Sequence, residues 1–303
     1  YKKNGFFETS LDEIFGRYKL DDIIRVELNE INDKERQFLK LPKDVISGTA
    51  PGSATYYLFK LLALRDESFA AFLEKRQIDP TNPVSNISNQ KSVFLKYKSE
   101  AVQRVVFRNR TRRLPHIHYG LYYIFDICDG NPRILAGLLN SFKKSLKISK
   151  SKKLTRAIQS NIIYEASSNF QNILKNHPES TVNMGGEAYN LSDNLLDSIG
   201  AFFLQKTVKD KFTKTMPTTF VVDGQVHDRI LDLIETATYY GAIISLEPLE
   251  EYSKESILGK RFRLASLLCP KFKINNNSNH RVNLSTILRK STMEGQKNLF
   301  TDV

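Results

Sequence analysis

Cysteine, histidine and long apolar runs are scarce in this sequence of 303 residues. Its two cysteines, Cys128 and Cys269, stand far apart and without metal-ligand spacing. That excludes a disulfide framework or a zinc site and leaves both as small buried apolar residues. No apolar stretch approaches the roughly 18 residues of a membrane span, and nothing at the start reads as a secretory signal. The expectation is a soluble cytoplasmic protein with no membrane partner. Among the five histidines only His116 and His118 stand close together, and neither cysteine nor carboxylate accompanies them at ligand spacing. They read as exposed loop histidines, and no metal site is expected. Also missing is the G-x-x-x-x-G-K-[ST] loop whose amides cradle nucleotide phosphates. GTAPGS, residues 48 to 53, lacks the lysine, and Gly259-Lys260 is followed by Arg261 in a strand context. No apolar strand ends in paired acidic residues for Mg²⁺, and no Ser/His/Asp or Cys/His arrangement stands out. No catalytic residue is assigned, and the chain by itself is not expected to hydrolyse nucleotide.

Positive charge is what the sequence has in excess. Lys plus Arg number 45 against 33 Asp plus Glu, a net charge of +12. Such a balance favours a polyanionic partner, DNA, RNA or nucleotide phosphate, over a surface charged for solubility alone, because the excess is clustered. Arg104, Arg108, Arg110, Arg112 and Arg113 form one cluster, in which guanidinium forks match phosphate oxygens; a solvated helix face competes with that reading. Lys143, Lys144, Lys147, Lys150, Lys152 and Lys153 form another, suited to sequence-blind contact with a nucleic-acid backbone or to a solvated linker. Lys260, Arg261 and Arg263 open a strand, where alternation in KRFRLASLL equally fits a half-buried strand.

At 41% hydrophobic and 11% aromatic the chain is globular and long enough for two domains. It opens at Tyr1 without an initiator methionine and reads as part of a longer protein. Residues 1–50 carry only short elements. Ser53 to Arg76 predicts one amphipathic helix, and Asp79 to Asn89 a polar boundary. A helical run then covers QKSVFLKYKSEAVQRVVFRNRTRR, followed by a loop, a helix ending near Gly130 and the helix opened by Pro132. Two more helices are expected at about 154–176 and 191–213, separated by the turn-rich HPESTVNMGGE. TTFVVD reads as a strand, Gln225 to Tyr240 as a helix ended by Gly241, and AIISLEP as a strand with which KRFRLASLLC pairs back. NNNSN, at 275–279, is a turn.

CDGNPRILAGLLN, residues 128–140, is a helix start with a charge out of place. Pro132 suits the first helical position and Asn131 can cap the open amides, but Arg133 then lies at the positive end of the helix dipole. Either an anion or a neighbouring carboxylate such as Asp129 would compensate it. The wider stretch YIFDICDGNPRILAGLL, 123–139, resembles the lid helix of AAA+ ATPases of the origin-recognition initiator clade. TTFVVD, GAIISLEP and GKRFRLASLLCPKF are similar to the C-terminal winged-helix domain of prokaryotic ATPases grouped with that clade, with one helix where a helix-turn-helix has two. The resemblance covers roughly 86–275. It implies a mainly α fold with small β: the end of an ATPase core at 1–85, a helical AAA+ lid domain at 86–150, a winged-helix-like α+β domain at 151–290 and a tail at 291–303. It implies further that Arg133 senses the γ-phosphate of ATP, with ATP and Mg²⁺ held mainly by residues outside this sequence. Hydrolysis there would belong to the parent protein, as an ATP-driven switch for DNA binding or for assembly with a protein partner or further copies. The resemblance extends to anti-phage systems. The competing reading is a nucleotide-independent DNA-binding or scaffolding adaptor in which Gly-Asn-Pro-Arg is only a cap.

Overall fold

A computed structural model describes residues 10–79, 87–108, 115–149, 152–249, 254–276 and 280–293. In chain order the first elements are α1 (Leu11–Phe15), α2 (Leu20–Asn29), α3 (Asp33–Leu39), α4 (Ala54–Arg65), α5 (Glu67–Glu74) and α6 (Ile87–Arg108). Next come α7 (Leu121–Asp126), α8 (Pro132–Ser149), α9 (Arg156–Lys175), β1 (Thr181–Met184) and β2 (Glu187–Asn190). Then α10 (Asp197–Leu204) lies between π-helical stretches at Leu191–Leu196 and Gln205–Lys209. The last are β3 (Pro217–Val221), α11 (Asp228–Tyr239), β4 (Ile243–Ser245), α12 (Lys254–Ile257), β5 (Arg261–Leu264), α13 (Cys269–Phe272), β6 (His280–Asn283) and α14 (Leu284–Met293). The class is mainly helical with small sheets, as expected. None of the described helices is long and apolar enough to cross a membrane.

Two compact units divide the chain. One holds Tyr18–Ile117 and Thr207–Lys214; the other holds Tyr1–Arg17, His118–Lys206 and Thr215–Val303. The division falls after Ile117, whereas the polar stretch at 79–89 had suggested a boundary near 86. α6 explains the difference: it packs on α4 and α2, so the helix expected to open the lid belongs to the helical unit before it.

In the first unit α4 buries Leu58, Phe59, Leu61 and Leu62 against its neighbours. The helix expected over 53–76 is broken at Asp66, where the backbone turns extended and the side-chain Oδ1 caps α5 by accepting from the amides of Ser68 (3.0 Å) and Phe69 (3.3 Å). Periodicity continues across the break, but a capping carboxylate stops one helix and starts another. The returning segment adds Phe212, whose ring stands 4.8 Å from Phe69 and 4.7 Å from Phe72 in edge contacts.

The second unit has two apolar clusters. Ile124, Cys128, Leu138, Phe142, Leu146 and Ile163 pack beneath α7, α8 and α9, with Phe15 of α1 edge-on to Phe142 at 5.1 Å. The other surrounds a four-stranded sheet ordered β4-β5-β3-β6, in which β5 runs antiparallel to both neighbours and β6 parallel to β3. Ile243 faces Leu264 across β4 and β5, so AIISL and KRFRL pair as expected. α11 is the one helix between β3 and β4, and Ile230, Leu233 and Ile234 bury its inner face. After Leu264 the expected strand gives way to short helical turns at Ser266–Leu268 and Cys269–Phe272.

HPESTVNMGGE, read as a turn, contains the β1–β2 hairpin. Gly185 and Gly186 both take positive φ (59° and 90°), the two-residue hairpin loop that only such residues enter without strain. β6 and α14 were not expected, and of the NNNSN turn residues 277–279 lie outside the described residues. α14 also occupies the start of the expected tail at 291–303.

Candidate functional site

The turn between α7 and α8 is built by backbone rule. Asp129 and Gly130 both take left-handed φ, 50° and 73°, a conformation that glycine enters freely and Asp more readily than most residues. The chain thereby reverses, and the Asn131 amide donates to the Cys128 carbonyl at 2.8 Å. Asn131 Oδ1 then accepts from the amides of Arg133 (3.0 Å) and Ile134 (3.4 Å), the capping role its position predicts. α8 buries Leu138, Phe142 and Leu146. On its opposite face Arg133, Gly137, Asn140, Lys144 and Lys147 recur at helical spacing and are exposed. Lys143 is exposed beside them, and the helix carries no acidic residue.

Arg133 has no ion pair among the described residues. The carboxylate that could have neutralised it is engaged elsewhere. Asp129 Oδ1 lies 2.6 Å from Arg263 Nη2 and accepts from the Ser266 hydroxyl at 2.7 Å; Oδ2 accepts from the Ser266 amide at 2.6 Å. The pair is largely closed from solvent, with side-chain exposures of 10% for Asp129 and 16% for Arg263. A cation therefore faces water at the positive end of an 18-residue helix whose first amides are already taken up by Asn131, with no counter-charge among the described residues.

Beside Arg133 lies an open pocket of about 380 Å³, lined by residues 128–134 together with Gly241 and Ile244. Gly241 ends α11 at φ 70°, where the following amide of Ala242 closes on the Ala237 carbonyl at 2.7 Å. Burial, and then the Asp129 carboxylate, push the Cys128 thiol up to about 11, so it lines the pocket as an apolar group rather than a nucleophile. The exposed guanidinium of Arg133 can meet one end of a phosphate anion. The one carboxylate of the lining, Asp129, is taken by Arg263 and Ser266, so the lining does not fit Mg²⁺, which needs free oxygen ligands.

The other candidates separate. Arg104 is 0% exposed, pairing with Asp66 (Nη1 to Oδ2, 2.8 Å), donating to the Asp210 carbonyl (2.9 Å) and lying over the Phe212 ring. A guanidinium closed from solvent and so committed cannot grip an external phosphate, which corrects the nucleic-acid role expected of it. Arg108, part-exposed, pairs with the same Asp66 carboxylate. Arg110, Arg112 and Arg113 lie outside the described residues. Lys143, Lys144 and Lys147 are exposed and carry no ion pair among the described residues. Of the strand cluster, Lys260 is half-buried, Arg261 donates through Nε to Thr219 Oγ1 at 2.9 Å, and Arg263 is the partner of Asp129. The expectation that Arg263 meets a nucleic-acid backbone therefore gives way to an internal role. His116 is exposed as expected, but His118 is buried, with Nδ1 2.6 Å from the Tyr123 hydroxyl and burial pushing its pKa down to about 3.

Sequence reading missed the clamp on Asp129. The helix end near Gly130 is legible, but nothing local signals a partner for Asp129 134 residues further along.

A family model described as ORC-CDC6-like matches residues 2–284. Comparison with curated proteins and with solved structures gives no match in either set.

Proposed function

The chain belongs to the ORC-CDC6-like family, an AAA+ initiator-like group, and from that premise we propose that it is the nucleotide-sensing and DNA-contacting part of an ATP-dependent switch. The observation that carries the reading is Arg133, exposed and without a counter-ion among the described residues at the start of α8, while Asp129 is held by Arg263 and Ser266. A guanidinium presents parallel N–H donors that match two oxygens of one phosphate, and the helix dipole favours an anion at the same point. Bound ATP would supply the negative charge this turn lacks, held with Mg²⁺ mainly by residues outside this sequence. The role of this chain is then to donate from Arg133 and to place that donor, through the Asn131 cap and the Asp129 clamp.

DNA is the partner that the remaining exposed charge favours. Lys144 and Lys147 extend the Arg133 face of α8, with Lys143 beside them, and no acidic side chain on the helix interrupts them. Such lysines contact phosphate without reading sequence. On this reading the sheet, with the one helix α11 between β3 and β4 and a long β4–β5 connection, stands for the winged-helix-like domain, and Lys260 and Arg261 remain candidates for the backbone. The exposed basic face also suits a protein partner or a further copy carrying an acidic surface.

The test is Arg133→Ala in the full-length protein. Losing a charge-assisted contact of about 1.5–3 kcal/mol weakens ATP binding about 10- to 100-fold. ATP turnover falls with it, and DNA affinity without nucleotide is retained. Unchanged ATP affinity and turnover would instead support the adaptor reading, with Gly-Asn-Pro-Arg as a cap alone.

A further inference from the structure

We propose that Asp129 is a positioning residue which, through Arg263, makes the Arg133 turn and strand β5 move as one piece, so that nucleotide at Arg133 is felt at the β4–β5 hairpin. The inference rests on the reading of Arg133 given above and names the residues that carry its signal.

Asp129 occupies a left-handed backbone position, φ 50°, which Asp tolerates better than most non-glycine residues and which contacts from its surroundings hold in place. Those contacts come from β5 and the turn that follows. Both carboxylate oxygens are used, Oδ1 by Arg263 Nη2 and the Ser266 hydroxyl, Oδ2 by the Ser266 amide. Arg263 is fixed in turn, because Nη1 also donates to the Leu264 carbonyl (3.1 Å) and to Ser266 Oγ (3.0 Å). The pocket next to Arg133 is walled on one side by this turn and on the other by Gly241 and Ile244, which lie at and in β4, the strand paired with β5. From Arg133 the path runs through Pro132, Asn131 and Gly130 to Asp129, then across one charge pair into the sheet. The cluster is small, nearly dry and doubly bonded, so it transmits displacement instead of absorbing it. Coupling by such a route is reciprocal: whatever ATP does to DNA affinity, DNA does to ATP affinity.

The two partners allow the clamp to be opened from either side. Asp129→Asn keeps a residue that tolerates φ 50° while removing the charge; Arg263→Gln leaves Asp129 its two bonds to Ser266. In the full-length protein, affinity for random duplex DNA is measured with and without ATP. The wild-type ratio is expected in the range of about 5- to 150-fold typical of allosteric coupling. Arg263→Gln brings the ratio to below about 2 while DNA affinity without ATP stays near wild type. Asp129→Asn does the same, and the double variant is no worse than either single one. Arg263→Lys, which keeps the charge, recovers most of the ratio. If Asp129→Asn fails to fold, Arg263→Gln and Arg263→Lys decide the matter. A wild-type ratio in Arg263→Gln overturns the proposal. If Arg133→Ala leaves ATP binding unaltered, the sensor reading falls and this proposal with it. If Arg133→Ala is impaired while Arg263→Gln is wild type in coupling, the sensor reading stands and only the clamp's role is refuted.

Discussion

Replacing Asp66 by asparagine takes one charge from the most enclosed ion pair among the described residues. Asp66 accepts from the Ser68 amide and hydroxyl, the Phe69 amide and Arg104 Nη1, and pairs with Arg108. Burial alone would raise its carboxyl, but the Ser68 hydroxyl and the Arg108 and Arg104 guanidiniums together hold it below the ordinary carboxylate range. Asparagine still caps α5 but leaves Arg104, 0% exposed, with its charge uncompensated. Breaking a buried pair from one side costs about 3–5 kcal/mol, and Asp66→Ala loses the cap as well, about 1 kcal/mol more. Against a total stability of about 5–15 kcal/mol, that brings the helical unit close to unfolding. The assay is urea unfolding followed by far-UV circular dichroism, with amide exchange in α5 and α6 to identify the unit that gives way. Adding Arg104→Met removes the stranded charge and should restore most of the loss. The reasoning is refuted if Asp66→Asn lies within about 1 kcal/mol of wild type, or if the double variant is no more stable than the single one.

His118 gives a pH dependence. Its folded pKa is pushed down by burial to about 3, so between that value and about 6.5 the unfolded chain binds the extra proton and stability rises with pH. Going from pH 7 to pH 5 should cost about 2 kcal/mol through this residue, and His118→Gln should flatten that part of the profile; an unchanged slope contradicts it. At Gly200 in α10, an added Cβ would stand 2.2 Å from Phe272 Cδ1. Gly200→Ala should therefore lower the melting temperature, with about 1–3 kcal/mol of overpacking exceeding the roughly 1 kcal/mol gain in helix propensity; a rise would show that the ring yields. Changing Lys143, Lys144 and Lys147 together to alanine should reduce the slope of log affinity against log salt for random duplex DNA by about 2–3, and an unaltered slope removes α8 from the DNA surface.

Where local chemistry decides structure, the sequence was a good guide. The Asn131 cap, Pro132 at the start of α8, the termination at Gly241 and the pairing of AIISL with KRFRL all stand as read. Structure departs from the local signal where a distant residue overrides it. Helical periodicity runs unbroken through Asp66, but Arg104 and Arg108 come from 38 and 42 residues away to a carboxylate that ends one helix and caps the next. The arginine cluster looked like a single surface because spacing along a helix does not say which side chain faces the core; Arg104 does. Arg263 alternates as an outward strand residue should, but its partner Asp129 was visible only as a possible neighbour of Arg133. At the candidate site, then, the cation was legible and the reason for its solitude was not.

The helical unit is completed by a stretch that the chain makes late. Thr207–Lys214 belongs with residues 18–117 and brings Phe212 to Phe69 and Phe72, and the Asp210 carbonyl to Arg104. At translation speeds of about 5–20 residues per second, that guanidinium waits about 5–20 s and those rings about 7–30 s for their cover. Each newly made molecule passes through an interval with a greasy, half-neutralised groove open to the cell. A gene truncated just after α9 would leave its product in that state permanently, prone to clumping and degradation.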